Sequence, residues 1–180
     1  MHGARKLARD YIAPLAIPGA KVLDIACGDK WVNEEFPGLQ YAGLDKKMGH
    51  DLVKLDDVFC EGWRDVGHSP DLILSVYGIC TLLGEEARVW TMMRRIADTS
   101  TKFVYVGRYM PVTGREMGRD DPINGYNEEG FRGLATASGW RVTQFLRAFY
   151  SEDGYYYISE NHQAPDPAPN AFAATMEPIQ

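Results

Sequence analysis

What most constrains this chain is the alternation of short apolar runs with segments of helical period. Residues 21–25 (KVLDI) form a brief apolar run with β-branched residues, which reads as a buried strand. Residues 40–45 (QYAGLD) make a second such run, 50–56 (HDLVKLD) a weaker alternating one, 70–78 (PDLILSVYG) a very apolar one, and 101–109 (TKFVYVGRY) a fifth. Between them lie helical stretches: a short one at 31–36 (WVNEEF), ended by Pro37-Gly38, and a longer one at 84–98 with Ala87, Trp90, Met93 and Ile96 expected on one face. An amphipathic helix over Ala4–Tyr11 precedes them and is stopped by Pro14 and Pro18-Gly19. Strands alternating with helices predict a doubly wound α/β fold, a mostly parallel sheet with helices on both faces.

The second half continues less regularly. Residues 110–126, rich in Gly, Pro and charge, are predicted to be a long loop, a candidate mobile lid with Gly114, Gly118 and Gly125 as hinges. Residues 127–140 read as a helix capped by Asn127 and ended near Gly139. Residues 141–150 and 154–161 then read as an antiparallel hairpin. The expected domain is 1–161, followed by a Pro/Ala-rich tail, 162–180, with too little apolar surface to order itself.

At 180 residues, 45% hydrophobic and 24% charged, the composition is that of one globular domain. A net charge of −6 disfavours nonspecific binding to nucleic acid. The three cysteines, Cys27, Cys60 and Cys80, are widely spaced, with no zinc spacing, so no metal site is expected and a reduced, cytoplasmic protein is. Neither a signal peptide nor a membrane span is apparent. Oligomeric state is not legible.

In a doubly wound sheet, ligands sit beyond the carboxyl ends of the strands at the point where strand order reverses. The residues there carry the chemistry. The first strand ends in Asp24, Ala26, Cys27 and Gly28, small residues that let a ligand approach the backbone. The second ends in Asp45, which is placed to accept both hydroxyls of a ribose. The third is followed by Asp56 and Asp57, either of which can accept a hydrogen bond from an exocyclic amine such as adenine N6. Several acids on one edge repel a pyrophosphate but tolerate a ligand carrying ribose, adenine and a positive charge.

The stretches VLDIACGDKW, FPGLQYAGLDKK, HDLVKLDD and PDLILSVYGICTLL, in this order, resemble the class I S-adenosylmethionine-dependent methyltransferases, in particular small enzymes with a D-x-x-C-G-D-K first motif. The resemblance spans about 21–161. It implies a Rossmann-like, seven-stranded, mostly parallel sheet closed by an antiparallel hairpin, and S-adenosylmethionine as cofactor. The cofactor-binding positions it implies are Asp24, Ala26, Cys27, Gly28, Asp45, Lys46, Asp56, Asp57 and Ser75. The family usually carries glycine where this chain has Ala26 and Lys30. Cys27 is expected to pack beside the cofactor rather than to act as a nucleophile, because no histidine accompanies it.

On the acceptor side, Tyr77 follows the fourth strand, and Arg108 and Tyr109 end the fifth. Tyr77, Arg108 and Arg115 are the expected substrate-binding residues, the arginines suited, with Arg119, to an anionic acceptor. Asp120, Asp121 and Tyr109 are the candidate catalytic groups. His50 and His68 precede strands and so fall on the opposite edge. The fourth strand lacks the NPPY or DPPY sequence that amino-methylating DNA enzymes use to hold a flipped base. The expected function is therefore methyl transfer to a small-molecule or glycan-type acceptor. The alternatives are a non-catalytic binder of S-adenosylmethionine or S-adenosylhomocysteine and, less well matched for want of the glycine fingerprint, a nicotinamide-dependent reductase.

Overall fold

A computed structural model describes residues 3–45, 69–81, 85–116, 123–151, 156–159 and 168–180. The elements are helix α1 (Gly3–Ile12), strand β1 (Lys21–Ile25), helix α2 (Trp31–Glu35), β2 (Gln40–Leu44), β3 (Leu72–Val76), a 3-10 turn (Ile79–Thr81), α3 (Glu86–Ile96), β4 (Lys102–Tyr109), β5 (Gly114–Glu116), β6 (Ile123–Tyr126), α4 (Glu128–Ala137), β7 (Trp140–Tyr150), β8 (Tyr156–Ser159) and β9 (Ala171–Pro178). The strand expected at 50–56 lies outside the described residues.

The sheet runs β2-β1-β3-β4-β9-β7-β8. Strands β2, β1, β3 and β4 pair in parallel, whereas β9 pairs antiparallel with both β4 and β7. This is a Rossmann-like doubly wound sheet with an antiparallel C-terminal part. Chain order reverses between β1 and β3, because β1 has β2 on one side and β3 on the other. Val22, Leu23, Asp24 and Ile25 of β1 are all buried, as a strand covered on both faces requires.

Two cores flank the sheet. On one face, Leu7, Ala8 and Ile12 of α1 pack with Val22, Leu72, Leu74, Val104 and Val106. On the other, α3 and α4 cover a cluster of aromatic rings in which Trp90 lies 5.3 Å from Phe103 and 5.2 Å from Phe131. The Trp140 indole closes this core by donating to the Trp90 carbonyl at 3.0 Å. The buried positions of α3 are Glu86, Val89, Trp90, Met92 and Met93. Ala87, expected on that face, is exposed, since the stripe at 86, 89, 90 and 93 turns it outward. Helix α4 begins as expected: the Asn127 side chain accepts from the Gly130 amide at 2.8 Å. Just beyond its end, Gly139 takes φ +84.

Two expectations are corrected. Residues 110–126 are not simply loop, because β5 and β6 form an antiparallel pair within them and β6 extends the sheet from β4. Glu86 ties this arm to α3, accepting from Asn124 Nδ2 at 2.7 Å and from the Tyr126 hydroxyl. The second correction concerns the tail 162–180, expected to be disordered. Its last part is β9, which pairs on both sides. The hairpin of β7 and β8 exists, with β8 at the sheet edge, and β9 is the strand inserted between β4 and β7. The physical reason lies in its composition. Alanine has weak strand propensity, but in a strand covered on both faces small side chains let the layers approach. Ala171 and Ala173 join the α1 core, while Phe172, Ala174 and Met176 join the aromatic one.

Candidate functional site

The turn after β1 is built from residues with unusual backbone geometry. Ala26, Gly28 and Lys30 have φ of 58°, 59° and 60°. The two positions where the resembling family carries glycine are thus left-handed here although neither is glycine. A left-handed non-glycine residue costs about 1–2 kcal/mol, and such residues persist where the surroundings enforce them. Two contacts enforce this turn. The Cys27 amide donates to the Leu44 carbonyl at 3.1 Å, and the Gly28 amide donates to the Asp45 carboxylate at 2.8 Å. The end of β2 therefore holds the turn after β1 in shape. On the other side, a side chain at Gly78 would come within 2.5 Å of the Ala26 Cβ, so the tip of β3 presses directly on the same turn.

Beside this turn lies a cleft of about 360 Å³, lined by Ala4 and Arg5 of α1, by Ala26, Cys27, Gly28 and Asp29, and by Trp31, Val76, Tyr77 and Tyr150. It sits at the reversal of strand order between β1 and β3, where ligands of doubly wound sheets bind, and its size is that of a small-molecule site. Arg5 donates to Asp29 at 2.6 Å and stands 5.8 Å above the Trp31 ring. The mutual pairing of Arg5 and Asp29 neutralises the charges of the cleft wall and tethers α1 to the turn.

Asp24 is only 2% exposed and accepts the Tyr41 hydroxyl at 2.7 Å. Burial raises its carboxyl to about 7; the Tyr41 hydrogen bond opposes this and the nearby Asp45 charge adds to it. Burial likewise, then the Asp24 charge, holds the Cys27 thiol above its ordinary value, which suits a packing residue and not a thiolate nucleophile. Tyr41, raised by burial and by Asp24, stays a protonated donor.

The structure brings together only part of the expected site. Ala26, Cys27, Gly28 and Tyr77 line the cleft. Asp45 stands next to the turn, buried and engaged with Gly28, and does not itself line the cleft. Asp24 is buried and does not line the cleft. Ser75 is fully buried, and its hydroxyl accepts from the Ile79 amide at 3.1 Å and supports the turn after β3. Arg108 donates to the Asn170 carbonyl at 3.3 Å and Tyr109 packs against the aromatic core; neither lines the cleft. Arg115 pairs through its backbone with Asn124 in the β5–β6 arm. Lys46, Asp56, Asp57, Arg119, Asp120, Asp121 and all four histidines lie outside the described residues.

Sequence reasoning did not anticipate Arg5, Trp31 and Tyr150. Trp31 follows the first motif directly and was legible as a neighbour of the turn. Arg5 and Tyr150 are brought in by tertiary packing of α1 and β7, which no local pattern signals.

No family model and no curated protein matches the chain in sequence. Solved structures do match. The CcbJ methyltransferase from Streptomyces caelestis superposes with a TM-score of 0.65 at 11% identity, over 100% of this chain and 91% of that one. The Burkholderia thailandensis 1,6-didemethyltoxoflavin-N1-methyltransferase, solved with 1,6-didemethyltoxoflavin and S-adenosylhomocysteine, matches with 0.64 at 10% identity, over 99% of this chain and 79% of that one. An S-adenosylmethionine-dependent methyltransferase from Clostridium acetobutylicum matches with 0.60 at 9% identity, over 99% and 91%. The chain thus shares the fold of these methyltransferases. No helix among the described residues is long and apolar enough to cross a membrane.

Proposed function

We propose that the protein is an S-adenosylmethionine-dependent methyltransferase acting on a small-molecule or glycan-type acceptor. The observation that carries this reading is the turn at the reversal of strand order, small in its residues from Ala26 to Gly28, left-handed at three positions and held by the acid that ends β2. The residues fit the cofactor. A side chain built at Gly28 would meet nothing within 4 Å, so the space above this backbone is open. Asp45 stands beside it with the charge a ribose diol selects. S-adenosylmethionine, held over Ala26, Cys27 and Gly28 and beside Asp45, would supply an electrophilic methyl group to the acceptor.

What the chain itself contributes is alignment. Ala26 to Gly28 admit the cofactor to the backbone, Asp45 orients its ribose, and the cleft walls fix the acceptor against it. Orientation of this kind is worth up to roughly 7–11 kcal/mol in the best intramolecular systems. Three of the solved relatives by fold are named for N- or O-methylation of small natural products or a sugar, which supports an acceptor of that size.

Thermal unfolding with 1 mM S-adenosylhomocysteine, S-adenosylmethionine or NADH (roughly, millimolar excess over a micromolar site) tests the reading. A rise in midpoint with the first two alone is expected. No shift with either, or a shift with NADH only, refutes it.

A further inference from the structure

Resting on that reading, we infer that Tyr77 and Tyr150 form the acceptor platform, and that the acceptor is a planar, uncharged aromatic molecule bearing the hydroxyl or amine to be methylated. Both rings line the cleft, and they meet edge to face, with centroids 6.1 Å apart and planes at 87°. Two perpendicular rings offer a flat guest one face to stack on and one edge to abut.

Each ring is held by its own device. Tyr77 has φ +52, a left-handed conformation a tyrosine rarely adopts. Its amide still donates to the Val106 carbonyl at 2.8 Å, and the neighbouring Gly78 is wedged on Ala26. The tip of β3 is therefore bent at Tyr77, which puts the ring into the cleft at a cost in backbone strain. Tyr150 is fixed by Asn170: one side-chain amide accepts from the Tyr150 N–H at 3.0 Å and donates to the Tyr150 carbonyl at 2.9 Å. Asn170 also accepts, through its carbonyl, from Arg108 and from the Tyr109 amide. It is a positioning residue that locks the ends of β7 and β4 together.

Charge on the wall points the same way. Arg5 and Asp29 neutralise one another, and Arg108, the arginine expected to select an acidic acceptor, is turned to Asn170. Among the described residues the charges lining the cleft are paired, and two preordered rings there select by shape and stacking.

The test uses the full-length protein saturated with S-adenosylhomocysteine, titrated with 2-naphthol and with methyl glucoside, a nonplanar neutral polyol. Binding of 2-naphthol and not of the glucoside is expected. Tyr150→Leu should weaken 2-naphthol by about tenfold, Tyr150→Phe should keep it near wild type, and Asn170→Ala should weaken it while the Tyr150 ring remains. The affinity for S-adenosylhomocysteine should stay within about twofold throughout, a split that a general loss of structure would not produce. Glucoside binding without naphthol binding, equal effects of Tyr150→Phe and Tyr150→Leu, or a parallel loss of S-adenosylhomocysteine affinity each overturns the inference. Failure of the wild-type protein to bind S-adenosylhomocysteine counts instead against the methyltransferase reading, and 2-naphthol titrated alone still reports on the platform.

Discussion

Replacing Asp24 with asparagine should make the protein more stable at neutral pH, and the gain should depend on pH in a specific way. Asp24 is buried at 2% exposure, with its carboxyl raised from 3.8 to about 7. The folded state therefore binds this proton more tightly than the unfolded chain does. Stability from this group is full below about pH 4, falls as the unfolded carboxyl ionises, and levels off once pH passes the folded value near 7. A carboxyl that ionises near 3.8 in the unfolded chain and near 7 in the fold carries a penalty of roughly 4 kcal/mol at pH 8, an upper figure because relaxation around the charge reduces it. Asparagine keeps an oxygen for the Tyr41 hydroxyl but carries no charge. Urea unfolding of both proteins at pH 4, 5, 6, 7 and 8 should give curves that coincide at the acid end and separate by roughly 2–4 kcal/mol at the alkaline end. Wild-type and variant stabilities that run parallel from pH 4 to 8 would refute the reasoning.

Three further outcomes are expected. Lys30→Gly relieves an exposed left-handed residue at φ 60° and should raise stability by about 0.5–1 kcal/mol, read from the urea midpoint. Ending the chain at residue 167 removes β9 from between β4 and β7 and should abolish cooperative unfolding, since two ladders and the buried Phe172 and Met176 exceed the margin of about 5–15 kcal/mol that a domain has. Trp90→Ala empties the centre of the aromatic core and should cost about 3–5 kcal/mol in chemical denaturation.

The parallel half of the fold was legible because each strand there is a short apolar run ended by a polar or small residue, and its helices repeat at the proper period. The boundaries of β1 and β2 were read to within a residue, and Asn127 as the α4 cap followed from its side-chain chemistry alone. β9 was not legible. Its alanines look like linker composition, and only pairing with strands distant in sequence makes them a core strand. The arm of β5 and β6 was hidden for a similar reason: Gly, Pro and charge mark a loop, while its order comes from Glu86, which lies on α3. In the site, Asp24, Cys27, Gly28 and Asp45 were visible as a motif. Their division of labour was not, because tertiary packing buries Asp24 against Tyr41 and engages Ser75 with the Ile79 amide. Tyr150 became visible only once Asn170 had tied the end of β7 to the end of β4.

The central claim, that a nucleoside cofactor rests on the turn after β1 beside Asp45, is tested most directly by calorimetric titration of S-adenosylhomocysteine into wild type, Asp45→Ala and Asp45→Asn. Charge-assisted hydrogen bonds from a ribose diol are worth about 1.5–3 kcal/mol each, so wild type should bind and Asp45→Ala should bind more than about tenfold more weakly. Asp45→Asn keeps an acceptor for the Gly28 amide and should still lose affinity, because it lacks the charge, while its unfolding midpoint stays near wild type. Equal affinity in all three proteins, or no binding by the wild type, would contradict the account.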